Sequence, residues 1–223
     1  MLTAPLGALN MVLGMSHKPI KMVVGLGNPG SEHEQDRHNI GFWFVEELAR
    51  RFSGNFKSER KFDGDSCRIT MGSNELWLLK PSTYMNRSGL AVTKLAAYYK
   101  IMPEQILVVH DELDLDAGVA RIKKGGGHGG HNGLRSVIAH IGKEFYRLRL
   151  GIGHPGDKSA VINFVLSRPS LKEQDLLIKA VDAAADVMPL WLGEGDERAM
   201  HCLHSQGVEA KPYRKDGPGT AKD

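Results

Sequence analysis

Between residues 20 and 192 the apolar positions follow two rhythms. Short apolar runs, unbroken or alternating, read as strands. Residues 20–25 form such a run, closed by Gly25, and residues 106–110 form another; both have the character of buried strands. Residues 67–71 and 75–80 flank Gly72-Ser73-Asn74, the signature of a hairpin. Residues 118–123 and 147–152 alternate apolar with basic side chains. The second rhythm is helical. Residues 40–52 place Phe42, Val45, Leu48 and Ala49 at helical spacing and end on Arg50 and Arg51, as a helix C-terminus favours. Residues 88–99 and 134–141 predict two further helices, and residues 171–192 one long amphipathic C-terminal helix. Strands interleaved with helices predict an α/β fold: a twisted, mixed, mostly parallel sheet flanked by helices. No repeat or linker interrupts residues 20–206, which read as a single domain.

The two ends differ from this body. Residues 4–15 are apolar but lack the positive flank of a secretory signal, since the first basic residue is Lys18. Residues 1–19 are therefore expected to be a disordered extension. Residues 207–223, rich in Lys, Pro and Gly, are expected to be a disordered basic tail. With 223 residues, 41% hydrophobic and 25% charged, the chain can bury a real core, which excludes collagen, a coiled coil and wholesale disorder. No run approaches the roughly 18–20 apolar residues of a membrane helix, so a soluble protein is expected. Cys67 and Cys202 are too few for a disulfide framework, in keeping with a cytoplasmic protein.

In such folds ligands gather at the carboxyl ends of the strands. Gly25-Leu26-Gly27-Asn28-Pro29-Gly30 spells a dinucleotide-binding pattern after a strand. That motif needs a helix starting at the glycines, with its N-terminus on the pyrophosphate. Here Pro29 interrupts, and the next helix begins about ten residues later, so no dinucleotide cofactor is expected. His128 and His131 lack a Cys or Glu at ligand spacing, and Asp111, Asp114 and Asp116 do not follow the calcium-loop pattern; no metal is expected. The absence of G-x-S-x-G leaves a serine nucleophile unsupported. What remains is a hydrolytic set: His38 as general base, Asp111 to hold one tautomer, and Asn28, Asn86 and Asn132 as neutral hydrogen-bond donors. Each asparagine also has an ordinary structural reading, Asn28 as a turn former, Asn86 and Asn132 as helix caps.

Charge is sorted along the chain. Residues 104–116 hold five acids and no Lys or Arg. Residues 119–150 hold seven basic residues against the single acid Glu144. Arg121 and Lys123 share one strand face, and Arg147 and Arg149 share another, around the glycine-rich stretch 125–133. A protected sheet edge would also carry such charges, but the sorting favours a nucleic-acid backbone.

Over about residues 21–195 these blocks resemble one family, the bacterial-type peptidyl-tRNA hydrolases. The blocks are Val24-Gly25-Leu26-Gly27-Asn28-Pro29-Gly30, Arg37-His38-Asn39-Ile40-Gly41, Tyr84-Met85-Asn86-Arg87-Ser88-Gly89, His110-Asp111-Glu112-Leu113-Asp114-Leu115, residues 125–134, and Arg147-Leu148-Arg149-Leu150-Gly151-Ile152-Gly153-His154-Pro155-Gly156. The resemblance implies a monomeric, metal-independent esterase that cleaves peptidyl-tRNA dropped by stalled ribosomes. It places His38 and Asp111 as catalytic base and partner, and Asn28, Asn86 and Asn132 around the peptide and the scissile ester. Tyr84, Met85, His33 and His131 are further candidates for substrate contact. Arg121, Lys123, Arg147 and Arg149 fall in the region expected to meet tRNA phosphates. His33 and Asp36 stand where the family usually has tyrosine and threonine, so a second imidazole is expected near the base, and Asp36 is expected to raise its pKa. The alternative is a non-catalytic RNA-binding protein of the same fold.

Overall fold

The computed structural model describes residues 18–205. The expected tail at 207–223 lies outside the described residues, as does all of the expected extension except residues 18 and 19. Seven strands form one sheet: β1 Met22–Gly25, β2 Lys57–Glu59, β3 Gly64–Met71, β4 Asn74–Pro81, β5 Ile106–Glu112, β6 Ala120–Lys124 and β7 Tyr146–Gly151. Their order is β2-β3-β4-β1-β5-β7-β6. The central strands β4, β1, β5 and β7 run parallel, while β3, β2 and β6 join antiparallel at the margins. Helices α1 Ile40–Arg51, α2 Ser88–Tyr98, α3 Asn132–Ile141, α4 Val161–Val165, α5 Leu171–Asp186, α6 Met188–Glu194 and α7 Asp196–Ser205 flank it. The mixed, parallel-centred α/β sheet is the expected one.

β1 is buried along its whole length, as a strand with helices on both faces must be. One core joins β1 to α1, α5 and α6; the other joins it to α2 and α3. Burial of Phe44, Val45 and Leu48 fixes α1 to the first face, each side chain contributing roughly 1.5–3 kcal/mol.

Gly25 and Gly41 give the glycine pattern its physical meaning. A Cβ on Gly25 would lie 2.2 Å from the Gly41 carbonyl oxygen. A Cβ on Gly41 would meet the Leu26 backbone and the Val109 carbonyl at 2.5 Å. Two bare backbones let the start of α1 rest on the ends of β1 and β5. The turn just before α1, which carries His38, is thereby delivered beside Asp111 at the end of β5.

Three expectations about the elements need correction. The single helix over 171–192 is two, α5 and α6, because Pro189 lies in the first turn of α6 and has no N–H to continue α5. Helix α7 went unread because only Ala199 and Leu203 of its ten residues are buried, too sparse a stripe to see in a polar stretch. Helix α3 starts at Asn132, and its cap is His131 rather than an asparagine. Among the described residues no helix is long and apolar enough to cross a membrane.

Candidate active site

The parallel strands β1, β4 and β5 end on one side of the sheet, and a cleft of about 740 Å³ opens there. Its floor is made by three short segments. The loop after β1 brings Asn28. A 3₁₀ turn, Arg37–Asn39, brings His38. The end of β5 brings Asp111.

Asn28 is locked from both sides. Its backbone N–H donates to Asn39 Oδ1 at 2.9 Å, and its carbonyl accepts from Asn39 Nδ2 at 2.9 Å. The side-chain Oδ1 accepts the Met85 N–H at 2.9 Å. With the oxygen so used, the Nδ2 amino group is the end left for the cleft, a fixed neutral donor. The next turn keeps Met85 in place, since Ser88 Oγ donates to the Met85 carbonyl at 2.8 Å.

His38 Nδ1 lies 2.7 Å from Asp111 Oδ1. Burial opposes ionisation of Asp111, yet the His38 and His131 imidazoles outweigh it and hold its pKa well below the usual carboxylate range. An ionised carboxylate only accepts, so His38 Nδ1 is the donor and Nε2 keeps its lone pair. Burial also works against protonation of His38, but the charge and hydrogen bond of Asp111, with the charge of Asp36, win and raise its pKa above 6.5.

A second imidazole completes the carboxylate. His131 Nδ1 accepts the N–H groups of Gly133 and Leu134, capping α3, so its proton sits on Nε2. That Nε2–H donates to Asp111 Oδ1 at 2.9 Å. The His38 and His131 ring centroids are 4.9 Å apart. The imidazole beside the base is therefore His131, and not the expected His33. His33 does not line the cleft; its Nδ1 bonds Asp36 Oδ2 at 2.8 Å. His38, Asp111 and His131 could in principle gather around a metal ion. In the structure the facing atoms bond one another, with His38 Nδ1 and His131 Nε2 lying 2.7 and 2.9 Å from Asp111 Oδ1. Next to Asp111, burial and the neighbouring His131 push the His110 pKa down to about 3, so this ring stays neutral.

The mouth is looser. Tyr84, Asn86 and Asn132 line it and are exposed. Asn132 Oδ1 accepts from Arg135 at 3.1 Å. One wall is apolar, from Val161, Ile162, Val165 and Leu166. The glycine loop with Lys123, Arg147 and Arg149 also lines the cleft. Across β6 and β7, Arg121 faces Arg149 and Lys123 faces Arg147, so the four expected cations form one block. Arg147 is buried and donates to the carbonyls of Gly126 and Gly127, making it a strut of the loop. Arg149 Nε bonds Glu112 at 2.8 Å. Arg121 does not line the cleft, whereas Lys123 is exposed within it.

A family model described as peptidyl-tRNA hydrolase matches residues 22–211. The chain belongs to the peptidyl-tRNA hydrolase family. It is accordingly a hydrolase acting on the ester between peptide and tRNA. It is 53% identical over 188 residues to the peptidyl-tRNA hydrolase of Neisseria meningitidis serogroup A, covering 84% of this chain and 98% of that one. With the Mannheimia succiniciproducens enzyme it shares 54% identity over 187 residues, 83% of this chain and 96% of the other. The crystal structure of peptidyl-tRNA hydrolase from Acinetobacter baumannii superposes with a TM-score of 0.82 at 49% identity, covering 83% and 95% of the two chains.

Two supports of the His38 turn went unread in the sequence. Asn39 and Arg37 flank His38, and both are buried. The available signal was three consecutive polar residues immediately before an apolar helix. Nothing in the sequence could have shown His131 as a cap, because histidine is not a favoured cap residue.

Proposed function

We propose that His38 is the general base of peptidyl-tRNA hydrolysis and that Asn28 holds the oxyanion. His38 Nε2 takes a proton from water, and the resulting hydroxide attacks the ester carbonyl carbon. Negative charge moves to the carbonyl oxygen, where Asn28 Nδ2 donates a hydrogen bond. As the tetrahedral species collapses, the bond to the ribose oxygen breaks and His38 returns the proton to that oxygen. Free peptide and tRNA leave. Asp111 orients His38 and stabilises the imidazolium between the two proton transfers. Asn86 and Asn132 at the mouth hold the peptide, along with Tyr84, Met85 and the apolar wall, while Lys123 and Arg149 meet tRNA phosphates.

The observation that carries this reading is the His38–Asp111 contact, which leaves Nε2 as the ring nitrogen free to take a proton in the cleft that Asn28 also lines. We further propose that residues 20–206 act as one catalytic unit, monomeric and cytoplasmic, returning tRNA from aborted translation. Release of labelled peptide from peptidyl-tRNA, with a chelator present, tests the mechanism. Wild type should cleave, and His38→Ala should be slower by about 10²–10⁴. Near-wild-type cleavage by the variant would refute the assignment. Tight tRNA binding without cleavage by either protein would instead support an RNA-binding role.

A further inference from the structure

Arg37 stands immediately before His38, is 6% exposed, and spends its whole side chain on a different part of the chain. Nη1 donates to Ser167 Oγ at 2.7 Å, the Arg168 carbonyl at 3.0 Å, the Ser167 carbonyl at 3.1 Å and the Phe164 carbonyl at 3.4 Å. Nη2 bonds Glu173 at 2.9 Å, and the guanidinium lies 4.3 Å from the centre of the Phe164 ring. The Arg37 backbone N–H also donates to the Ser167 carbonyl, at 3.2 Å.

These partners form the exit of α4. That helix has only five residues and supplies the apolar wall of the cleft, with Ile162 69% and Leu166 40% exposed. Residues 157–169 otherwise bond chiefly among themselves. Val165 seats α4 on the core, with Val161 and Phe164 packed beside it, but a five-residue helix with an exposed apolar face has few polar ties of its own to fix its exit beside the base. One planar guanidinium reaching four acceptors, a carboxylate and a ring does so.

We infer that Arg37 is a positioning residue that fixes the α4 wall against the His38 turn and so sets the grip on the peptide half of the substrate. This rests on the catalytic reading above, since it assumes that the peptide lies along α4. Lysine cannot reproduce the fork, so Arg37→Lys loosens the wall while leaving the His38–Asp111 pair intact. Glu173→Gln and Ser167→Ala each weaken one tie and lie outside the reacting centre.

The test compares two substrates, a tRNA bearing a blocked single glycine and one bearing a blocked apolar tripeptide. For Arg37→Lys, KM for the tripeptide substrate should rise about tenfold, one decade being about 1.4 kcal/mol. KM for the glycyl substrate and the acid limb of the pH profile should stay near wild type. Glu173→Gln and Ser167→Ala should show the same selective rise, smaller. An equal loss on both substrates, or no rise in KM for any of the three variants, would overturn the role assigned to Arg37. Failure of the wild type to cleave either substrate would overturn the catalytic reading and this inference with it.

Discussion

The floor and the mouth of the cleft are built on opposite principles. On the floor, Asn28, His38, Asn39 and Asp111 are all buried and tied to one another, to His131 or to backbone. The groups offered to the chemistry are the Nε2 lone pair of His38 and the Nδ2 donor of Asn28. At the mouth, Asn86, Asn132, Tyr84 and Lys123 are exposed and lightly held. A rigid floor suits charge that develops at one place, because donors already in position need no reorganisation during reaction. A loose mouth suits a substrate whose peptide varies and whose RNA presents a repeating phosphate backbone.

The sharpest way to break this contrast is to remove the floor's donor. Asn28→Ala should lower kcat by about 10²–10³ with little change in tRNA affinity, as expected for an oxyanion donor. A loss confined to KM would move Asn28 from chemistry to binding. Asn39→Ala should cost less, about tenfold in kcat, since Asn28 would keep its amide but lose two of the bonds that aim it. Full activity in that variant would show that the Met85 contact alone suffices. At the mouth, Lys123→Ala should leave single-turnover cleavage at saturation unchanged. It should flatten the log-log salt dependence of tRNA binding by about 0.7–0.9, the share of one phosphate contact. An unchanged slope would remove Lys123 from the RNA face. The buried Arg147 is a poor choice for that experiment, because its loss would disturb the glycine loop that it holds.

How much of this was legible beforehand follows the same division. The strands at β1 and β5, the hairpin of β3 and β4, and helix α1 came from apolar rhythm, because each buries a continuous face. The C-terminal helices were misjudged because an amphipathic stripe runs on across Pro189 although the backbone ladder does not. At the site, residue chemistry pointed to His38 and Asp111, and the resemblance placed them in a family. The supports were not readable. Asn39 pairs with a backbone eleven residues away, Arg37 with carbonyls about 130 residues away, and His131 joins Asp111 across twenty. Such partners are set by the crossing of β1, β5 and α1, which a linear pattern does not encode. His33 shows the converse: proximity in sequence suggested a place beside the base, yet the turn directs it to Asp36.

The claim that the rest depends on is that Asp111 holds His38 as the base. The direct measurement is the pH dependence of kcat/KM for peptide release, from about pH 5 to 9, in wild type and Asp111→Asn. His38 works only when unprotonated, and its pKa is raised above 6.5. Wild-type activity should therefore fall on the acid side with a midpoint above 6.5. Losing the carboxylate charge lowers the His38 pKa, so the midpoint of Asp111→Asn should move to lower pH while the plateau rate drops. An acid limb that stays in place with an undiminished plateau would contradict the account.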